Sequence, residues 1–299
     1  MLYRERVMRD RLRADVVVTF HGVRGSTPCS CPTLARYGGN TSCISVESEG
    51  QDPIIFDLGT GLRTFGTCRD GGEMTAHALL THLHWDHVQG LPFFEPLHNP
   101  HSSLTVYGPG DGSAESLADC MARFMAPPFF PITASDLPAS VSFIDTLDAD
   151  FSIGETSVMA RSVPHTGPTA GFRIERNGLS IAYLPDHQEP LDDKTYVAPG
   201  ARELCRGVDV LIHDAQLTTA EFAEKAHWGH STPAYALEVA RQAGAKTLVL
   251  FHHDPSHDDE AVDVLCEETR RLAEADGIDV VAALEGLKLT LPAPTGATT

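Results

Sequence analysis

THLHWDH, residues 81–87, sets three histidines and an aspartate within six consecutive positions. The run before it, HALLT (77–81), reads as a strand, and side chains two apart on a strand share a face. His82 and His84 therefore address one point in space. Asp86 and His87 come where the chain leaves the strand and starts a helix, so a second pair addresses a second point close by. Imidazole with carboxylate, and no thiolate, suits Zn²⁺, with Mn²⁺ and Fe²⁺ as competitors. A chance gathering of surface histidines is the competing account, and four candidate ligands in six residues at a strand end argue against it.

Two ions need more donors than these, and the sequence supplies them where apolar runs end. SVPHTG (162–167) delivers His165, IAYLPDHQ (181–188) delivers Asp186, and TLVLFHHDP (247–255) delivers His252 or His253. Neighbouring strand residues face opposite ways, so only one of the last pair can reach the ions. Each of these is weak alone, since a lone His or Asp after a strand is more often a cap. Together they put ligands on one rim of a sheet core.

The rest of the chain is consistent with that core. Strand-type runs recur at 15–22, 43–48, 53–59, 77–82, 103–108, 157–165, 171–178, 179–186, 209–215, 247–253 and 280–291, with helical patterns near 113–125, 194–206, 232–243 and 258–275. This mixture predicts packed sheets flanked by helices. No Gly/Ser-rich or charged linker interrupts it, so residues 15–291 read as one domain, with an N-terminal arm over 1–14 and a disordered tail over 292–299.

The quoted motifs, in order, resemble the metallo-β-lactamase fold hydrolases, whose signature is H-x-H-x-D-H, and more narrowly the branch of ribonuclease Z and related phosphodiesterases. FHGVRGSTP (20–28), RYGGNTSC (36–43), IFDLGTGLR (55–63) and GHSTPAYALEVARQAGAKTLVLFHHDP (229–255) occur in that branch's order. The resemblance implies an α/β (α+β) fold, a four-layer αββα sandwich of two mixed sheets flanked by helices, with two divalent ions at one edge. Carried over residue by residue, His82, His84 and His165 hold the first ion, Asp86, His87 and His252 the second, and Asp186 bridges. His252 is preferred because LVLFH matches the family's strand ending in its last ligand, which leaves His253, and likewise His187, behind the ligands or against the substrate.

Such a centre makes the chain a metal-dependent hydrolase, in which a hydroxide bridging the ions attacks and Asp86 belongs to the catalytic set. WGHST (228–232) places His230 before a helix with Ser231 and Thr232 near its N-cap, and resembles the branch's short histidine motif that assists at the phosphate. That helix N-terminus would add donors for an anion. A plain cap with a solvent-facing histidine is the simpler alternative. Arg24, in GVRGST (22–27), is a candidate phosphate contact. Asp57 and Asp214, at strand ends, are candidates to accept N–H bonds from ligand histidines, or are turn formers. Phe93, Phe94, Phe129 and Phe130 wall a base pocket or pack the core.

These residues favour a phosphodiester over the alternative, a carboxylic ester, thioester or lactam hydrolysed at the same ions. A redox di-iron protein of this fold normally works with a flavin partner domain, and no dinucleotide fingerprint is visible. A non-catalytic binding protein would tend to lose ligands that are all present. Only 20 residues separate His165 from Asp186, where tRNA-processing members carry a substrate-gripping arm, and the net charge is −19, from 22 Lys and Arg against 41 Asp and Glu. Both point to a small nucleotide diester, cyclic or linear, with long nucleic acid not favoured. The five arginines of Arg4–Arg13 are interleaved with acids and read as a solvated arm. No stretch suits a signal peptide or a membrane span, and seven scattered cysteines do not form a disulfide framework. The cytosol is the expected compartment, and the resemblance implies a homodimer.

Overall fold

A computed structural model describes residues 15–69 and 72–293. The arm over 1–14 lies outside the described residues, as does all but 292–293 of the tail.

Among the described residues, fourteen strands form two seven-stranded sheets. The first contains β1 (Val16–Gly22), β2 (Cys43–Glu47), β3 (Ile54–Phe56), β4 (Thr75–Leu79), β5 (Ser103–Gly108), β6 (Ser140–Asp145) and, at its edge beside β1, β14 (Lys288–Leu291). The second contains β7 (Ala149–Ile153), β8 (Thr156–Ser162), β9 (Ala170–Arg176), β10 (Leu179–Leu184), β11 (Val210–Asp214), β12 (Thr247–Phe251) and β13 (Asp279–Ala282). Both sheets are mixed. From β14 to β3 the first is antiparallel and from β3 to β6 parallel. In the second, β10 to β13 are parallel and β7 to β10 antiparallel.

Alternation along the strands builds the layers. In β10 every residue is buried, with Ile181 and Tyr183 facing the other sheet and Ala182 and Leu184 facing helices. Val18, Phe20, Ile44 and Phe56 of the first sheet meet Phe172, Tyr183, Ile212 and Phe251 of the second in a core between the sheets. Helices Pro199–Cys205, Pro233–Ala243 and Asp259–Ala273 cover the outer face of the second sheet. Helices Gly61–Thr67 and Leu117–Phe124 cover that of the first. The order is helix, sheet, sheet, helix.

The parallel strands place the site, because their C-terminal ends share a rim. β3, β4, β10, β11 and β12 end just before Asp57, His82, Asp186, Ala215 and His252, and β8, which runs parallel to β10 across β9, ends before His165. The connection from His165 to Asp186 is the β9–β10 hairpin. No helix among the described residues is long and apolar enough to cross a membrane.

One expectation about local structure changes. β4 stops at Leu79, so His82 and His84 lie beyond the strand, in an extended segment that ends at the four-residue helix Trp85–Val88. They converge because the segment stays extended, with His84 at φ −65° and ψ 150°.

Candidate metal centre

Two clusters of donor atoms meet at Asp186. His82 Nε2 lies 2.8 Å from His84 Nδ1, and His165 Nε2 lies 3.3 Å from the same atom. Asp186 Oδ2 closes this cluster, 3.8 Å from His82 Nε2 and 3.6 Å from His165 Nε2. In the second cluster, Asp86 Oδ2 is 3.2 Å from His87 Nε2 and 3.1 Å from His252 Nε2. Asp186 Oδ1 faces those nitrogens at 3.1 and 3.3 Å. A tetrahedral ion with bonds of about 2.0–2.2 Å spaces its ligands about 3.3–3.6 Å apart, so three of these eight edges have the length a bound ion requires, four more lie within about 0.2 Å of it, and the His82–His84 edge is shorter. His87 Nε2 and Asp186 Oδ1 are buried without a hydrogen-bond partner. Orphaned acceptors at the bottom of a cleft fit a divalent cation.

For two of the rings a hydrogen bond on the far side fixes which nitrogen is free. Asp57 Oδ2 takes the Nδ1–H of His87 at 2.7 Å, and the Gly229 carbonyl takes that of His165 at 2.7 Å, leaving both Nε2 lone pairs toward the centre. Burial pushes the His82, His84 and His165 imidazoles below their ordinary value, which keeps them neutral as ligands must be. His87 goes the other way. Burial opposes its charge, but Asp86, Asp186 and Asp57 outweigh burial and hold it well above the ordinary value. Burial works against charge on Asp86 and Asp186, but His87 and His252 draw both carboxylates below their ordinary value, with His82 adding to the effect at Asp186. The pocket is a place that favours positive charge.

Backbone geometry serves the same end. Asp57 and His252 sit at φ +56° and +62°, the left-handed region that costs a non-glycine residue about 1–2 kcal/mol. At His252 this turns the ring from the end of β12 into the second cluster. His253 instead bonds the Ala283 carbonyl through Nε2 at 2.9 Å. Gly229, at φ +97°, passes so close to His165 that a Cβ would lie 2.4 Å from its ring. A cleft of about 440 Å³ opens over the centre, bounded by Ser26, Leu83, His84, Trp85, Asp86, Asp186 and His230. His230 Nδ1 lies 3.0 Å from Asp214 Oδ2. Burial disfavours its charge, but Asp214, then Asp186 and Asp86, raise it to about 9.

The family model of the β-lactamase superfamily domain matches residues 54–253. The chain belongs to this superfamily. Ribonuclease Z of Natronomonas pharaonis is 30% identical over 277 residues, covering 79% of this chain and 86% of that protein, which puts the chain in the ribonuclease Z-like branch and makes it a metal-dependent hydrolase. The short form of human tRNase Z superposes with a TM-score of 0.61 at 25% identity, over 92% of this chain and 99% of that one. The metallo-beta-lactamase fold protein YhfI from Bacillus subtilis, at 17% identity, shares the fold with a TM-score of 0.70 over 93% of this chain and all of that one.

These relatives correct one expectation for the ribonuclease Z-like chain. The short connection between His165 and Asp186 and the net charge of −19 disfavour long nucleic acid, yet the relatives are ribonucleases by name. A sum over the whole surface is the wrong quantity, because phosphates are held by local groups. Overall acidity does not exclude RNA.

Four residues expected against the substrate are engaged elsewhere. Arg24 is fully buried, and its guanidinium clasps the carbonyls of Gly38, Asp254 and His257. His253 is tied to Ala283 as described. Ser231 donates its hydroxyl to the His187 carbonyl. Thr232 caps its helix, accepting from Tyr235 N at 3.2 Å and donating N–H and Oγ1–H to Glu189. Glu189, buried at that helix N-terminus, occupies the position foreseen for a substrate anion. His187 pairs with His213 Nε2 at 2.8 Å through Nδ1.

Several supporting residues carry no sequence signal of their own. Ser26 donates its N–H to Asp86 Oδ2 at 2.7 Å, and Tyr183, a core residue of β10, donates its hydroxyl to Asp57 at 2.8 Å. Thr81 opens the quoted motif and bonds Asp57 through both N–H and Oγ1. Asp57 thus gathers His87, Thr81 and Tyr183. Asp57→Asn replaces one of the acceptor oxygens with a donor and is expected to weaken metal affinity roughly 10- to 100-fold. Metal titration of the chelated protein, with thermal unfolding as the control for fold, checks this.

Proposed function

We propose that the chain hydrolyses a phosphodiester bond at a dinuclear centre. His82, His84 and His165 would hold one ion, Asp86, His87 and His252 the other, and Asp186 would stand between them. Zinc suits this imidazole and carboxylate set best. The reading rests above all on Asp186, whose two oxygens face different clusters, at 3.6–3.8 Å on one side and 3.1–3.3 Å on the other. When bound, a pair of divalent ions lowers the pKa of water from 15.7 toward about 7 and takes up charge on the non-bridging phosphate oxygens.

The chain's own residues do the rest. Asp186 sets the spacing between clusters, and Asp57 and the Gly229 carbonyl hold ring nitrogens in the tautomer that leaves Nε2 free. Asp86, anchored by Ser26 N–H, orients the second cluster under the cleft. His230 keeps its Nδ1–H on Asp214, which leaves Nε2 as the end that can give a proton to the leaving alkoxide.

The substrate proposed is a nucleotide diester, cyclic or short and linear, supported by the bare hairpin between His165 and Asp186. The names of the relatives make RNA the second substrate to test. The free state of all seven cysteines supports a cytosolic setting, and the resemblance supports a homodimer. A panel of bis-p-nitrophenyl phosphate, 3′,5′-cyclic nucleotides, a short RNA, a thioester and a chromogenic lactam tests the reaction class. Chelator-sensitive turnover of the diesters, restored by Zn²⁺, is expected. Turnover of the thioester or lactam alone would reject the reading.

A further inference from the structure

We infer that Trp85 is the near edge of a platform that receives a nucleobase of the substrate, an inference that rests on the phosphodiester reading above. Trp85 stands between two candidate ligands, yet it is 75% exposed while Asp86 beside it is 5% exposed. The cleft over the centre is bounded on one side by Leu83 and Trp85. A second cleft, of about 650 Å³, begins at the same two residues and continues along Phe93, Met121, Phe129 and Phe130. Phe93 is 57% and Phe129 88% exposed, and Phe93 meets Phe130 edge to face with centroids 6.0 Å apart.

Single exposed hydrophobic residues are ordinary, but three large rings shown to solvent along one groove are not. The scaffold beneath them is packed, since Val88, Leu91, Phe94 and Met121 are all buried in one cluster. The rings are therefore presented by an ordered base. A ligand that fills both clefts at once must carry an anion over the cation-favouring centre and a flat apolar face in the cleft that shares Leu83 and Trp85 with it. A nucleoside phosphate has that build, and its base can stack on aromatic rings whatever its identity. Of the polar side chains that line the second cleft, Arg123 is paired with Glu115 and Gln89 Nε2 lies 3.5 Å from Thr41 Oγ1, so the recognition argued here rests on the rings.

Calorimetry on the metal-loaded protein with adenosine 5′-monophosphate, ribose 5-phosphate and inorganic phosphate tests this. The platform predicts that the nucleotide binds roughly 5- to 150-fold more tightly than ribose 5-phosphate. Trp85→Ala and Phe129→Ala should each erode that ratio while metal content and ribose 5-phosphate affinity hold. Phe129 lies outside the ligand motif, so its variant carries the test if Trp85→Ala fails to fold or loses metal. Trp228 is the only other tryptophan, so in a Trp228→Phe background the nucleotide, and not ribose 5-phosphate, should quench the remaining fluorescence. Equal affinities in the parent protein, or a ratio unmoved in both variants, would overturn the platform and leave the phosphate site standing. Failure of all three probes to bind would overturn both.

Discussion

Replacing Asp186 by alanine is expected to reduce the bound divalent ions from two to at most one per chain and to lower turnover by more than about 10⁴-fold. The expectation follows from where the carboxylate sits. It is 1% exposed, with each oxygen committed to a different set of imidazoles. Alanine therefore removes one ligand from both clusters at once, whereas a change at His84 touches one. What is lost chemically is the acidifying effect of paired cations on water, which spans roughly 15.7 to 7 in pKa. Asp186→Asn keeps the shape and one carbonyl oxygen but not the charge that offsets two cations, so it should fall between the parent and alanine in metal content. Elemental analysis after dialysis, read beside circular dichroism, separates loss of metal from loss of fold. A variant that kept two ions and full turnover would show that Asp186 does not bridge.

The candidate ligands stand out in the sequence because they follow apolar runs, and an apolar run followed by His or Asp survives small errors of boundary. His82 and His84 illustrate the tolerance. The sequence pattern carries the strand two or more residues past Leu79, yet extended backbone beyond β4 keeps the same two-residue periodicity. The run 280–291 was less forgiving, since it holds β13 and β14, which belong to different sheets. β6 and β7 carried no clear signal. Each is an edge strand with an exposed face, and SVSFID and ADFSI spread too few apolar residues over it. Helix Gly61–Thr67 is short and begins with glycine, so its sequence reads as a turn.

The residues expected to hold the phosphate each have a partner within the protein, which sequence does not reveal. Arg24, Ser231, Thr232 and His253 are polar residues near a site, and polarity in sequence does not reveal whether a partner within the protein has already claimed the group. Glu189 is the clearest case, a carboxylate 43 residues before Thr232 that fills the helix end. Trp85 misleads in the opposite way, because nothing in the sequence of the motif shows that this residue is exposed.

Removing the imidazole of His230 should lower kcat by about 10²- to 10⁴-fold on a substrate whose leaving group is an alkoxide, with metal content unchanged. The same His230→Ala change should cost far less on bis-p-nitrophenyl phosphate, because an acidic phenol departs without a proton. This contrast distinguishes a proton donor from a residue that only shapes the cleft, which would affect both substrates alike. The pH dependence carries a second sign. A donor acts while protonated, so kcat on the alkoxide substrate should fall as pH rises through the imidazolium's pKa. In the chain alone that value is raised to about 9, with Asp214 the largest of the charges opposing burial and Asp186 and Asp86 adding to it. Cations bound beside Asp186 and Asp86 would cancel those two contributions and leave that of Asp214, so the descending limb should lie below 9 in the loaded enzyme. Asp214→Asn should then move it further down, toward or below the ordinary 6.5. Asp214 also accepts the N–H groups of His187 and Gln216, so the variant's fold must be checked first. If the limb stays in place in a folded Asp214→Asn protein, His230 is not the group that titrates, and the leaving-group proton comes from elsewhere.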